Sequence, residues 1–349
     1  MHHQETARRR AGGRWARWVA ASAVAAALVG VAASTGASAS TTTTTPNLSG
    51  VTLNVADQLN QYQTAFASAG LSNTPYKIVW SNFIGGPPVV AAETGGSVDL
   101  GAMAETPTVF AQAAGDPIKV VAVSEGTKPG TVSPYAIMVA PGSPIKTVAQ
   151  LKGHTIAVQE GTVFQYVLYR MLAKAGVPYS AVTIDNLSIT AGDTALESGA
   201  VDAYVTSYPF VAELQQANKG KILASGASST LYLSYLTASE SALDNPAKAA
   251  AIADFVKRFH EAQVYNNAHP ATAAANYQKE YGVTPTVAAA TVAHAPSIAS
   301  PIDTTIVAYQ QAEANALFKI GAVPSKVNVV NIFDTRYNKQ VEAFLATVK

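Results

Sequence analysis

Cysteine is absent from all 349 residues. That excludes a disulfide framework, thiolate metal sites and a cysteine nucleophile. Charge is scarce as well: Asp, Glu, Lys and Arg make up 13% of the chain, against roughly a quarter in ordinary domains. Lys+Arg number 23 and Asp+Glu 22. So nearly neutral a chain lacks the basic footprint that nucleic acid needs, and no nucleic-acid partner is expected. His154, His260, His269 and His294 do not fall at metal-ligand spacing, and His-Glu-x-x-His does not occur. There is no Gly-x-Ser-x-Gly elbow. Gly85-Gly86 lacks the further glycines and the lysine of a dinucleotide-binding or P-loop turn. No metal, no cofactor and no catalytic residue is therefore nominated.

What is present is apolar mass and a patterned amino terminus. The chain is 48% hydrophobic, and its length suits about two ordinary domains. Arg8, Arg9, Arg10, Arg14 and Arg17 form a basic start, and Trp18 to Ala33 is an apolar run rich in Ala and Val. Ala37-Ser38-Ala39 offers small residues for cleavage. The run is shorter than the ~20 residues that span a bilayer. Residues 1–39 are thus expected to be a removed signal peptide, by either the general secretory or the twin-arginine route. Residues 40–49, with Thr41 to Thr45 and then Pro46, read as a low-complexity linker. The expected location is periplasmic or secreted. With no cysteine behind the apolar run, a lipoprotein is not expected.

The mature region says the same thing twice. Thr52-Leu53-Asn54-Val55-Ala56-Asp57 is echoed by Thr155-Ile156-Ala157-Val158-Gln159-Glu160, an offset of 155 − 52 = 103. Gly96-Ser97-Val98-Asp99 is echoed by Gly199-Ala200-Val201-Asp202 at the same offset. Ala69-Gly70-Leu71 returns as Ala175-Gly176-Val177. Any two strand–helix–strand units share apolar strands and glycine turns. Three landmarks in one order at nearly one spacing favour duplication. Two such lobes imply a cleft, where a small ligand can be enclosed.

Strand and helix signals alternate through both copies, which predicts parallel-type sheets with covered faces. From Pro246 onward the pattern turns helical: 248–265, 271–281, 285–294, 304–320 and 337–348 carry apolar residues at helical spacing. That run is expected to pack against the first lobe. The chain is expected to cross between lobes near 139–145 and near 231–238, making a two-strand hinge. The division that follows is 50–138 plus 238–349 for lobe 1, and 139–237 for lobe 2.

In parallel sheets, ligands bind beyond the carboxyl ends of strands, beside helix amino ends. Five loops qualify: Asp57-Gln58, Phe83 to Pro87, Glu105-Thr106-Pro107, Gly161-Thr162-Val163 and Tyr208-Pro209. Helix amino ends present unpaired N–H groups and a partial positive charge, so several together hold an anion without arginine. Thr162 fits a plain helix cap and a hydroxyl donor equally well. Glu105 and Glu160 would repel an anion if they faced it. They point away, cap backbone groups, or meet an amino group on the ligand. Tyr208 either stacks on a ligand or covers the rim.

The same residues resemble a known family. Glu105-Thr106-Pro107-Thr108-Val109-Phe110-Ala111-Gln112-Ala113-Ala114-Gly115 is similar to a signature of the aliphatic-sulfonate-binding proteins of ABC importers. Trp80-Ser81-Asn82-Phe83, Gly96-Ser97-Val98-Asp99 and Ser143-Pro144-Ile145-Lys146 with Ala149-Gln150-Leu151-Lys152-Gly153 resemble it too. The likeness runs from about Val51 to Tyr281, in a wider group that includes taurine and nitrate binders. It implies a two-lobed type II periplasmic binding fold, no enzyme activity, a monomer, and delivery of a small organic anion, an aliphatic sulfonate or taurine-like compound, to a membrane permease. It implies a pocket using Gln58, Glu105, Thr106, Gly161, Thr162, Val163 and the loop before Pro209. Three departures stand out: Ala104 and Thr108 replace Gly and Pro, Asp57 sits where Tyr is common, and Ser207-Tyr208-Pro209 replaces Trp-Asp-Pro. Nitrate, an aromatic carboxylate or a thiamin precursor remain alternative ligands. Desulfinases and pyrimidine-precursor synthases share the architecture. The known desulfinase type needs the cysteine this chain lacks.

Overall fold

The computed structural model describes residues 47–348. The expected signal peptide and most of the linker lie outside the described residues. The first stretch runs β1 (Thr52–Gln58), α1 (Gln61–Ser68), β2 (Lys77–Phe83), α2 (Gly86–Thr94), β3 (Leu100–Ala104), α3 (Thr106–Ala114) and β4 (Ile118–Gly126). The second runs β5 (Tyr135–Val139), β6 (Thr155–Val158), α4 (Val163–Lys174), β7 (Thr183–Asn186), α5 (Ile189–Ser198), β8 (Ala203–Ser207), α6 (Phe210–Gln216) and β9 (Lys221–Ser225). The chain then returns through β10 (Leu233–Ser239), α7 (Glu240–Asp244), α8 (Pro246–Ala268), α9 (Pro270–Tyr281), α10 (Pro285–His294), β11 (Ser297–Ser300), α11 (Thr304–Lys319) and α12 (Asn338–Thr347). No described helix is long and apolar enough to cross a membrane.

The strands form two sheets, β11-β4-β10-β3-β1-β2 and β7-β6-β8-β5-β9. Apart from β11 at one edge, the orders superimpose: β2-β1-β3-β10-β4 answers β7-β6-β8-β5-β9. In each sheet the fourth strand is the one that follows a crossing between lobes, β10 in the first and β5 in the second, and it runs antiparallel to its neighbours. The duplication extends to single bonds. Asp99 Oδ2 accepts Asn54 N–H at 2.9 Å, and Asp202 Oδ2 accepts Thr155 N–H at 2.9 Å. Each carboxylate pins the start of the strand beside it. Asp99 is further held by Lys248 Nζ at 2.6 Å.

The ladder corrects the expected alignment of the first strands. β1 pairs Val55 with Leu100, and β6 pairs Ile156 with Ala203. The offsets are 156 − 55 = 101 and 203 − 100 = 103. Asn54, not Thr52, is the partner of Thr155. A slip of two leaves every side chain on its original face, so alternation alone could not detect it.

The crossings also lie elsewhere than expected. β5 bonds β8 and β9, so Tyr135–Val139 belongs to the second sheet. β10 bonds β3 and β4, so Leu233–Ser239 belongs to the first. The chain therefore crosses at 127–134 and 226–232. Pro129, Gly130 and Pro134 mark the first crossing, where residues without a free N–H or with φ > 0 interrupt pairing. The crossings touch: Gly130 N–H donates to Ala227 O at 3.0 Å.

Each lobe has its own core. Leu53, Val55, Leu100 and Ala122 of the first sheet meet α8 through Ile252, Phe255, Val256 and Phe259, an i, i+3, i+4, i+7 stripe. Asn245 caps α8 by accepting Ala247 N–H and Lys248 N–H, with Pro246 in its first turn. Ile137, Ile156, Val167, Leu172 and Val205 pack in the second lobe. The helical tail does not serve the first lobe alone. Val287 of α10 joins Met138, Tyr204 and Val211 in a second-lobe cluster. Tyr309 of α11 meets Tyr166 of α4 edge-on at 6.3 Å. The tail also holds a strand that helical spacing did not predict, since β11 pairs antiparallel with β4.

Candidate functional site

A cleft of about 130 Å³ opens between the sheets. Gln58 ends β1, Ala104 ends β3 and Ser207 ends β8, and all three line it. The site therefore lies beyond the carboxyl ends of parallel strands. Every helix from α1 to α6 brings its first turn to this wall: Gln61, Gly86, Pro107, Val163, Ile189 and Phe210. The sequence sets these starts locally. Pro87 and Pro88 open α2, Pro107 opens α3, and Thr162 caps α4 by accepting Phe164 N–H at 3.3 Å.

The lobes meet across the mouth. A Cβ on Gly85 would lie 3.3 Å from Gln159 Oε1, and one on Gly161 would lie 3.5 Å from Pro87 Cγ. Gly85 and Gly161 have φ of 87° and 76°, a region other residues seldom adopt. Within the first lobe, a Cβ on Gly86 would stand 2.2 Å from Pro107 Cγ. Only glycine lets the starts of α2 and α3 approach so closely. Leu59, Asn60 and Tyr232 also take positive φ without being glycine, and Leu59 and Tyr232 line the cleft. Such conformations concentrate at functional sites.

No Asp, Glu, Lys or Arg side chain lines the cleft. The field inside is set by helix dipoles and hydroxyls, the arrangement that suits a small anion. α1 is the exception. Asp57 is fully buried, and its Oδ2 accepts Tyr62 N–H and Gln63 N–H, each at 2.8 Å. Burial pushes its carboxyl up to about 7, against the lowering effect of these amides. The amino end of α1 thus already holds a carboxyl of its own.

The nominated residues divide. Gln58, Thr162, Val163 and Tyr208 line the cleft together. Asp57, Phe83, Glu105, Thr106 and Gly161 are not among the residues that line it. Asp57 caps α1 from beneath. Phe83 packs beside Val89 and Met103 in the first-lobe core. Gly161 sits at the mouth against Pro87. Thr106 is buried and its hydroxyl donates to Glu313 Oε1. Tyr208, preceding a cis peptide bond, stacks on His294 of α10 at 4.0 Å and 11°.

Glu105 is fully buried behind the wall, and neither carboxyl oxygen has a hydrogen-bond partner. Desolvation pushes it up to about 8. Glu313, equally buried beside it, is held well above the usual carboxylate range by burial and then by Glu105. Burial therefore favours the neutral form of Glu105, which does not repel an anion. Glu160 is exposed and also off the wall.

Sequence reasoning missed Tyr62, Tyr135, Tyr232, Ser234 and Thr291, which also line the cleft. Tyr62 Oη and Ser234 Oγ share a 2.6 Å hydrogen bond, and Tyr135 and Tyr232 meet edge-on at 5.8 Å. Tyr135 and Tyr232 flank the two crossings, so a correct hinge would have pointed to both. Thr291 arrives from α10, far along the chain, and nothing local marks it.

Comparison with known proteins adds to this geometry. The model of the NMT1/THI5-like family matches residues 86–273. A relative from Escherichia coli (strain K12), named for binding aliphatic sulfonates, is 31% identical over 72% of this chain and 78% of its own. The alkanesulfonate-binding protein SsuA from Xanthomonas axonopodis pv. citri, solved with MOPS, shares 26% identity and a TM-score of 0.75 over 83% of this chain and 99% of its own. The periplasmic aliphatic sulphonate binding protein SsuA from Escherichia coli shares 28% and 0.70, over 82% of this chain and 92% of its own. The fold alone is shared with the desulfurization enzyme DszB, at 14% identity and TM-scores of 0.60 and 0.58 in two structures, over 85% and 84% of this chain.

Proposed function

Since the chain belongs to the NMT1/THI5-like family, and its relatives there are aliphatic-sulfonate-binding proteins, we propose that it is an exported solute-binding protein for alkanesulfonates. It captures the solute between its lobes and hands it to an ABC-importer permease. It works as a monomer in the periplasm or outside the cell, and performs no reaction.

One observation carries this reading: helix amino ends converge on a cleft that has no charged side chain. A sulfonate spreads its charge over three oxygens, which several N–H groups and hydroxyls can share. The same walls favour alkanesulfonates over taurine. An ammonium would meet no carboxylate, because Glu105 is neutral behind the wall and Asp57 is engaged by α1. An enzyme of the cysteine desulfinase type is disfavoured by the chemistry of the chain, which offers no thiol.

Thermal shift against a panel tests the proposal. At a hundredfold excess over Kd, a ligand stabilises by about 2.7 kcal/mol. Methanesulfonate to butanesulfonate should raise the melting temperature, and taurine should do so less. A shift with nitrate, an aromatic carboxylate or a thiamin precursor, and none with sulfonates, would reassign the ligand. Sulfite released from a sulfinate would reassign the class.

A further inference from the structure

Two carboxyls, one just before α3 and one on α11, are buried together beneath the cleft. Glu105 precedes α3, whose first turn reaches the wall, and Glu313 lies on α11. Both are fully inaccessible. The Glu105 carboxyl has no hydrogen-bond partner, the Glu313 carboxyl has only the Thr106 hydroxyl, and among the described residues no cation forms an ion pair with either. Two ionised carboxylates cannot be kept together there, because each would repel the other in a medium of low dielectric.

Part of their surroundings comes from the other lobe. α4 packs on both α3 and α11. Its Tyr166 meets Tyr309 of α11 edge-on at 6.3 Å, and its Arg170 donates to Tyr166 Oη at 3.1 Å. Tyr309 Oη in turn accepts Leu231 N–H at 3.3 Å, on the second crossing between lobes. The pair thus sits where α3, α11, the second lobe and the hinge come together.

We infer that the Glu105–Glu313 pair is a proton-binding site coupled to solute capture: closing the lobes on a solute takes up a proton there, and opening them returns it. The inference rests on the solute-binding reading above. The chemistry is one exchange: a carboxylate hydrated in the open form accepts a proton from solvent and becomes a neutral acid when α4 covers it. The groups facing the pair come from several elements. They are Tyr135 of β5, Tyr232 of the crossing, Tyr235 of β10, Tyr309 of α11, and Tyr166 and Arg170 of α4. Burial, and then the neighbouring carboxyls and tyrosines, hold the tyrosines above their usual range, so they stay neutral. Arg170 is the cation that acts on Glu313 among the described residues. It favours the ionised form of Glu313, but burial and Glu105 outweigh it.

The sign follows. Closed, Glu105 releases its proton only at about 8; hydrated, a glutamate releases it near 4.5. Between these values the closed form holds more protons, so affinity falls as the pH rises, by up to tenfold per pH unit for one linked proton. Titration of ethanesulfonate by calorimetry at pH 7.5, in buffers of different ionisation enthalpy, measures the uptake. The expected result is uptake of between one and two protons per solute in the natural protein, because both carboxyls are held neutral when covered. Glu313→Gln, which keeps an acceptor for the Thr106 hydroxyl, and Glu105→Gln should each lower the uptake by up to one proton, and the double variant should abolish it. Uptake of zero with ethanesulfonate bound, or undiminished uptake in both variants, would overturn the inference and leave the solute-binding reading standing. No binding of ethanesulfonate at any pH from 6 to 8.5 would overturn both.

Discussion

At the scale of single residues, the site depends on what is missing from a few positions. Gly86 is the clearest. Any side chain there drives into the Pro107 ring, which is itself fixed in the first turn of α3. Gly86→Ala should cost about 1–3 kcal/mol of stability, the range for overpacking. It should also weaken solute binding more than a comparable overpacking in either core, because it splays two helix starts that share the wall. Urea unfolding and calorimetry on the same sample check both halves. Buried carboxyls give a second prediction. Glu93 is buried, both its oxygens accept the Thr237 hydroxyl, at 2.9 and 2.8 Å, and burial pushes it up to about 8. A group raised from 4.5 to about 8 keeps its proton longer when folded. Its stabilising contribution is complete below about pH 4.5 and is lost as the pH climbs through 8. Stability should therefore decline from pH 5 to 8.5, and Glu93→Gln should flatten that decline. A stability that rises over this interval would contradict the assignment of Glu93 as neutral.

At the scale of elements, the helix starts carry both the fold and the site. Thr162 does two jobs: its hydroxyl accepts Phe164 N–H and donates to Gln159 O at 2.6 Å, while the residue lines the cleft. Thr162→Ala should cost about 1 kcal/mol of stability through the lost cap. Thr162→Ser should restore most of it, and melting curves distinguish the two. These starts were legible in the sequence, because prolines, glycines and one threonine punctuate each of them. What was not legible was depth. Asp57 and Glu105 precede helices in the same way as Gln58 and Thr162, yet they point beneath the wall. Side-chain direction there is decided by α11 and by the backbone of α1, which no local pattern reports. The hinge was misread for a different reason. Apolar strands such as Tyr135–Val139 and Leu233–Ser239 look alike in either lobe, and only their pairing assigns them.

At the scale of the whole molecule, two sheets of matching order are joined by two crossings and bridged by a helical tail. α10 and α11 both touch the second lobe, so closure is not a matter of the crossings alone. Tyr208 on His294, Tyr309 on Tyr166 and Thr284 Oγ1 on Gln216 Oε1 at 2.7 Å hold the lobes from outside the hinge. The repeat itself was visible as three echoed landmarks, and the Asp99 and Asp202 bonds explain two of them physically. The tail's bridging role was hidden, because an amphipathic helix shows how much of it is buried but not against which partner.

The central claim is that an anionic charge is recognised by helix ends and hydroxyls, without a cationic side chain and without reaction. Calorimetry with ethanesulfonate and with ethyl methyl sulfone, its uncharged counterpart, tests it most directly. The account predicts one-to-one binding of the sulfonate at about micromolar Kd or tighter, binding of the sulfone at least a hundredfold weaker, and recovery of the sulfonate intact. Equal affinity for the two, or failure to bind either, would contradict it.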